Sequence, residues 1–261
     1  MMKKTNYTII AGKYNNRYKG NYLVKIEEEI RNLIISNNYQ NILEAGCGTG
    51  RWISSLEDMS KKIFGLDYSF DMIKIPKIDT SHLNLVNADA VHIPFKDNFF
   101  DLIFCVNAIH HFTDKEKFIA ECKRTLTNNG MLAVFGVDPL IDKDWYVYDY
   151  FESVYANDLK RFTSLKLLKN LLEAENFGEV EIKTVEQVRH NRIGNDIFND
   201  PFLEKYNCSQ LADLSDEEYQ KGIEKIKNQI VKDPETVFKT SVVFYLVSAK
   251  KIKEVKNANS N

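Results

Sequence analysis

The chain is short of the features that mark several protein classes. It has four cysteines in 261 residues (Cys47, Cys105, Cys122 and Cys208) and no C-x-x-C pair. That scatter argues against a disulfide framework or a metal centre, and it predicts reduced thiols in a cytoplasmic protein. An excess of one charge is also missing, since 35 Lys and Arg face 37 Asp and Glu for a net charge of −2. A dedicated nucleic-acid binder is therefore not expected. No apolar run reaches the roughly 18 residues of a membrane span. The start, MMKKTNYTII, has two lysines with no long apolar run behind them, so no signal peptide is predicted. There is no internal repeat.

What is present is enough apolar material for a sizeable core: 44% hydrophobic against 28% charged residues. One large domain, or one domain with an insertion, is expected. The first forty residues carry seven Lys and Arg against three Glu. Within them Leu23, Ile26, Ile30, Leu33 and Ile34 fall at helical spacing, which predicts a helix over 22–35. Residues 13–18 read as a polar, aromatic loop or short helix.

From Asn41 short apolar runs alternate with helical patterns. Strands are expected at 42–43, 63–66, 83–86, 100–106 and 131–137, with helices at 52–59, 70–75 and 115–126 between them. That alternation predicts a mostly parallel sheet with helices on both faces. FDLIFCV (100–106) is almost continuously apolar, as befits a strand buried on both faces. A helix at 164–176 and strands at 179–188 and 240–249 follow. Residues 189–239 hold eight basic and ten acidic residues and a helical pattern at 219–230, so a solvated helical insertion is expected there, over a site. The resulting division is a helical lid segment at 1–40, a core at 41–188, a cap at 189–239, a last strand at 240–249 and a frayed tail at 250–261.

The chemistry concentrates at EAGCGTG (44–50), between the first strand and a helix. Glycines let a backbone turn tightly and approach a ligand, although a tight turn without any ligand needs them too. The run is G-x-G-x-G, one residue shorter than the dinucleotide fingerprint, with an acid two residues ahead of it. Glu44 would repel a pyrophosphate but suit an ammonium group. Asp67 ends the second strand and can accept two ribose hydroxyls or cap the next helix. Asp89 follows the third strand and can accept the exocyclic amine of an adenine or close a turn. Together the three acids fit one elongated ligand with an amine, a ribose and an adenine, lying on the carboxyl edge of the sheet.

ILEAGCGTG, GLDYSFDM, NADAVHIPF, FDLIFCVNAIHHF and RTLTNNGMLAVFGV stand in the order of five motifs of class I S-adenosylmethionine-dependent methyltransferases. The chain resembles the "type 11" small-molecule branch of that family, which includes quinone-biosynthesis enzymes. The resemblance covers about 14–139 well and the last two strands loosely. It implies a Rossmann-like, seven-stranded, mostly parallel sheet with an antiparallel last strand, helices on both faces and a helical insertion before that strand. It implies S-adenosyl-L-methionine as cofactor and S-adenosyl-L-homocysteine as product. By the same resemblance, Glu44, Gly46, Gly48 and Gly50 surround the methionine part, with Cys47 a spacer among them. Asp67 takes the ribose hydroxyls, Tyr68 and Met72 flank the adenine, Asp89 accepts its amine beside Ala90, and Asn107 lies near the methyl-bearing sulfur. Glu44 departs from the family, which more often has Asp.

His110 and His111 follow the fourth strand, beside the expected methyl position, and an imidazole is suited to deprotonating an alcohol, phenol or amine. Strand alternation and loop geometry predict that only one of them points inward and that the other packs. Tyr14, Arg17 and Tyr18 are candidates to close over the cofactor carboxylate or the substrate, or else form an ordinary helix start. Trp145, Tyr146, Tyr148, Tyr150 and Phe151 either pack or, with the insertion, wall an apolar pocket. The sequence lacks the N-P-P-Y and Pro-Cys signatures of amide, adenine or cytosine methylation. The expected function is methyl transfer to O, N or C of a small, partly apolar molecule, with no metal, nucleic acid or membrane partner. A non-catalytic module for an adenosine ligand is the alternative. A nicotinamide oxidoreductase is disfavoured by the glycine spacing and by Asp89.

Overall fold

The structure is a computed structural model that describes residues 23–59, 61–74 and 83–253. Seven strands form one sheet: β1 (Asn41–Ala45), β2 (Lys62–Asp67), β3 (Asn84–Asn87), β4 (Phe100–Val106), β5 (Leu126–Gly136), β6 (Phe177–Ile193) and β7 (Val237–Lys251). Their order is β3-β2-β1-β4-β5-β7-β6. The pairs from β3 through β5 are parallel, and β7 runs antiparallel to both β5 and β6.

Each central strand feeds two cores because successive side chains leave opposite faces of a sheet. Along β4, Ile103 and Cys105 enter the core on one face, while Leu102, Phe104 and Val106 enter the core on the other. The first face is covered by α4 (Lys115–Thr125) and α7 (Leu165–Ala174), and the second by α1 (Val24–Ser36) and α2 (Arg51–Ser55). Helix α1 has no side-chain N-cap, yet Ile26, Ile30 and Ile34 are fully enclosed. A missing cap costs about 1 kcal/mol, whereas each buried isoleucine contributes about 1.5–3 kcal/mol, so packing holds the helix. The described part of the expected lid segment (23–40) contains α1, whose apolar side joins the core, and the rest, with Tyr14, Arg17 and Tyr18, lies outside the described residues. The short α3 (Phe70–Ile73) follows β2, with Ser69 accepting the Met72 N–H at its start.

Two elements differ from the sequence expectation. The strands bracketing the insertion are longer, with β6 reaching Ile193 and β7 beginning at Val237, so the inserted stretch is 194–236. The aromatic run after β5 is helical: α5 (Tyr146–Tyr150) and α6 (Glu152–Arg161). Tyr146, Phe151 and Val154 pack with Ile197, Leu211 and Ile226 into a third small core. That core joins α5 and α6 to α8 (Ser209–Ala212) and α9 (Asp216–Lys232). Ser215 caps α9 through the Glu218 N–H, and the Glu218 carboxylate in turn accepts the hydroxyl and N–H of Ser153 at the start of α6. No helix among the described residues is long and apolar enough to cross a membrane.

Candidate active site

The glycine loop leaves β1 in a tight turn, with Gly46, Gly48 and Gly50 all at positive φ (76°, 55° and 78°). The N–H groups of Gly46 and Cys47 both donate to Leu66 O, at 2.7 and 3.0 Å, so the loop is fastened to β2. A Cβ on Gly46 would stand 2.4 Å from the Ala108 Cβ, which shows how closely the loop approaches the segment after β4. Cys47 is buried, and a Cβ on Gly65 would meet its sulfur at 2.9 Å, so its side chain packs inward as a spacer.

The acids behave differently from one another. Asp67 is half-buried; its Oδ2 accepts the Gly48 N–H at 2.7 Å and its Oδ1 the Ser69 N–H at 2.8 Å. Burial raises its carboxyl above the usual range, and those two N–H groups oppose the shift. A carboxylate offers about four acceptor positions, so room remains for hydroxyl donors. Glu44 is 1% exposed. Burial, then the neighbouring Asp67 charge, pushes its carboxyl well above the usual range, against the Ile53 N–H and Arg51. Its Oε2 is enclosed without a hydrogen-bond partner. Such an orphaned oxygen is costly, and a cationic donor at the loop would satisfy it. Asp89 closes its own turn, accepting the Val91 N–H at 3.2 Å. Ala90 and Met72 are buried and Tyr68 is 62% exposed, so Met72 lies beneath Gly48 while Tyr68 stands on the rim. These residues fit a sulfonium nucleoside. The orphaned carboxylate suits its ammonium, Asp67 its ribose and the side-chain-free loop its close approach.

Beyond β4 the chain turns at Asn107, which has φ 49° and donates its N–H to Phe135 O. A 3-10 turn (Ile109–His111) follows. Both histidines line one pocket, contrary to the expectation that only one would point inward. The reason is the turn. It does not alternate as a strand does, and it brings the two rings to 4.0 Å between centroids. His110 is buried and stacks on Phe162 at 4.1 Å.

The pocket holds about 1050 Å³ of space outside the protein, part of it open to solvent. It runs from Asn107 and the two histidines past Trp145, Tyr148 and Phe162 to the insertion, at Phe202 and Cys208. The aromatic run therefore does both jobs, with Trp145 and Tyr148 facing the pocket and Tyr146 and Phe151 in the third core. Tyr148 is held by Asp158, which it meets at 3.0 Å, and Asp158 pairs with Arg161 at 2.8 Å. The sequence reading missed His190, on the pocket's β6 wall, whose Nε2 lies 3.4 Å from the buried Asp200. Only the spacing of His190 and Asp200 across a strand end was available as a signal. No group of His, Cys, Asp and Glu among the described residues is placed to hold a metal ion.

Comparison with known proteins agrees with this fold. Residues 43–134 match the family model described as a methyltransferase domain. An uncharacterized methyltransferase of Anoxybacillus flavithermus is 28% identical over 159 residues, 58% of this chain and 75% of that protein. A demethylmenaquinone methyltransferase of Staphylococcus haemolyticus is 25% identical over 167 residues, 54% of this chain and 70% of its own. The crystal structure of a SAM-dependent methyltransferase from Archaeoglobus fulgidus shares the fold, with a TM-score of 0.56 at 19% identity over 91% of this chain and 98% of that one. Across the strands that hold its glycine loop the chain is thus similar to a methyltransferase domain, and its fold is that of a SAM-dependent methyltransferase of known structure.

Proposed function

We propose that the protein transfers a methyl group from S-adenosylmethionine to a small, partly apolar molecule held in the pocket beyond β4. The observation that carries this reading is the make-up of that pocket. Its lining joins Asn107, His110 and His111, just past β4, to the aromatic side chains of Trp145, Tyr148 and Phe162 and to Phe202 and Cys208 of the insertion. A non-catalytic adenosine-binding module would need no such pocket.

S-adenosylmethionine, when bound, supplies a methyl carbon on a positively charged sulfur. The protein's part is alignment and exclusion of water. Glu44, the glycine loop and Asp67 hold the cofactor, and Trp145, Tyr148 and Phe162 hold the acceptor's apolar body. Fixing two reactants in attack geometry supplies about 7–11 kcal/mol of barrier reduction. An acceptor that arrives protonated also needs a base, for which the pocket offers imidazoles at His110, His111 and His190. Partners other than the small acceptor are not called for by this reading, and a cytoplasmic setting suits its four free thiols.

The test is incubation with S-adenosylmethionine and a panel of hydroxylated, amino and carbon-acid acceptors, with S-adenosylhomocysteine release as readout. Turnover is expected with acceptors that pair a nucleophile with an apolar body. Cofactor binding without release on any of them would favour the binding-module alternative.

A further inference from the structure

We propose that His190, oriented by Asp200, is the group that takes the acceptor's proton, so that the acceptor is a hydroxyl compound with a ring-sized apolar body. This deepens the reading above and rests on it.

The argument starts from Asp200. Its carboxylate is 4% exposed at the end of a 3-10 turn. One oxygen, Oδ1, accepts the Phe202 N–H at 2.9 Å, which fixes the side chain. The other, Oδ2, faces His190 Nε2 at 3.4 Å. A buried carboxylate on one imidazole nitrogen selects the tautomer in which that nitrogen carries the hydrogen, and leaves the lone pair on the other. Here the lone pair falls to Nδ1. The ring is about a third exposed and lines the same pocket as Asn107, His110 and His111. It sits on β6 opposite Thr240 of β7, so a rigid strand pair carries it. His110, by contrast, is buried and committed to its stack on Phe162.

The chemistry balances within these groups. The acceptor's O–H proton passes to Nδ1 of His190. The oxygen lone pair forms the new O–CH3 bond while the S–CH3 bond breaks and its electron pair returns to sulfur. Positive charge leaves the sulfonium and arrives on the imidazolium, facing Asp200, and the ring later gives its proton to water. His190 is the catalytic residue in this scheme and Asp200 a positioning residue. Trp145, Tyr148 and Phe202 provide the surface for the acceptor's body.

The experiment uses the full chain and 4-nitrophenol, whose ionisation is visible by its colour. S-adenosylhomocysteine binding is measured first, by calorimetry, so that failure of the preceding reading is recorded separately. The dye is then added with and without that product, at a pH where the free dye is mainly the phenol. The expected result is a phenolate band on the wild-type protein, lost in His190→Gln and weakened in Asp200→Asn, whose amide oxygen can still accept the Phe202 N–H. The ether 4-nitroanisole, which has no proton to give, is expected to bind wild type and His190→Gln equally, which a merely structural role for the ring would not allow. An undiminished band in His190→Gln, or failure of the wild-type protein to bind the dye as phenolate, would overturn the assignment.

Discussion

The backbone N–H of Gly48 donates to Asp67 Oδ2 at 2.7 Å, so the residue expected to hold a ribose also holds the glycine loop. The same carboxylate accepts from Ser69 at 2.8 Å and thereby ties the loop to the start of α3. Asp67→Ala removes two charge-assisted bonds worth about 1.5–3 kcal/mol each. Relief of a partly buried charge offsets part of that, so the net loss is expected at about 1–3 kcal/mol. Urea unfolding measures the stability term, and calorimetry should show a fall in S-adenosylhomocysteine affinity beyond it. Unchanged affinity would remove Asp67 from the site.

Glu44 gives a pH signature. Its carboxyl is raised well above the usual range by burial, so between its unfolded and folded values the native chain binds more protons than the unfolded one. Stability from this group is fully present below the ordinary glutamate value of 4.5 that it has in the unfolded chain, and is lost as pH rises through the folded value. Glu44→Gln is therefore expected to flatten the decline of stability with rising pH while weakening binding of the ammonium-bearing product. If the cofactor's ammonium draws Glu44 into its ionised form, binding releases a proton. Calorimetry in buffers of different ionisation enthalpy reads that release directly, and its absence would place the ammonium elsewhere.

The three glycines of the loop are not equivalent. Gly46→Ala combines a positive φ, costing about 1–2 kcal/mol, with a Cβ only 2.4 Å from the Ala108 Cβ. Overpacking adds about 1–3 kcal/mol, so a loss of about 2–5 kcal/mol is expected, along with disturbance of the turn carrying His110 and His111. Gly48→Ala meets only the flexible end of Met72 at 3.2 Å, and its cost should stay near the backbone term. Thermal unfolding of both variants checks the order.

Arg161 matters through what it leaves behind. Asp158 is 1% exposed, and burial raises its carboxyl against the pull of Arg161 and the Tyr148 hydroxyl. Arg161 also reaches Asp213 in the insertion at 3.1 Å. Removing one partner of a buried pair typically costs about 3–5 kcal/mol, so Arg161→Ala should lose about that much in urea unfolding. The loss should grow as pH rises, since the remaining carboxyl is then favoured in its protonated form. A cost under about 1 kcal/mol, the value of an exposed pair, would mean that Asp158 finds another cation.

The sheet was largely legible in the chain because its central strands are apolar on both sides: FDLIFCV could hardly be anything else. The glycine loop and its three acids were legible because their spacing is tied to strand ends. The aromatic helices α5 and α6 were not, since Trp145 to Phe151 has no helical stripe to mark a face. The outer half of β6 was hidden for a related reason. It is an edge strand in which Arg189, His190 and Arg192 interrupt the apolar alternation, so it reads as part of the insertion. His190 was lost with it, because its partnership with Asp200 depends on how the insertion folds back. Local spacing also cannot show that burial would hold Glu44 in an environment hostile to its charge.

The central claim is that the acid-flanked glycine loop holds a sulfonium nucleoside, and thermal unfolding with S-adenosylhomocysteine and, separately, NADH tests it most directly. At about 100 times its dissociation constant a specific ligand adds roughly 2.7 kcal/mol to stability. The account predicts that gain with S-adenosylhomocysteine, its loss in Asp67→Ala, and no shift with NADH. A shift with NADH alone would contradict it.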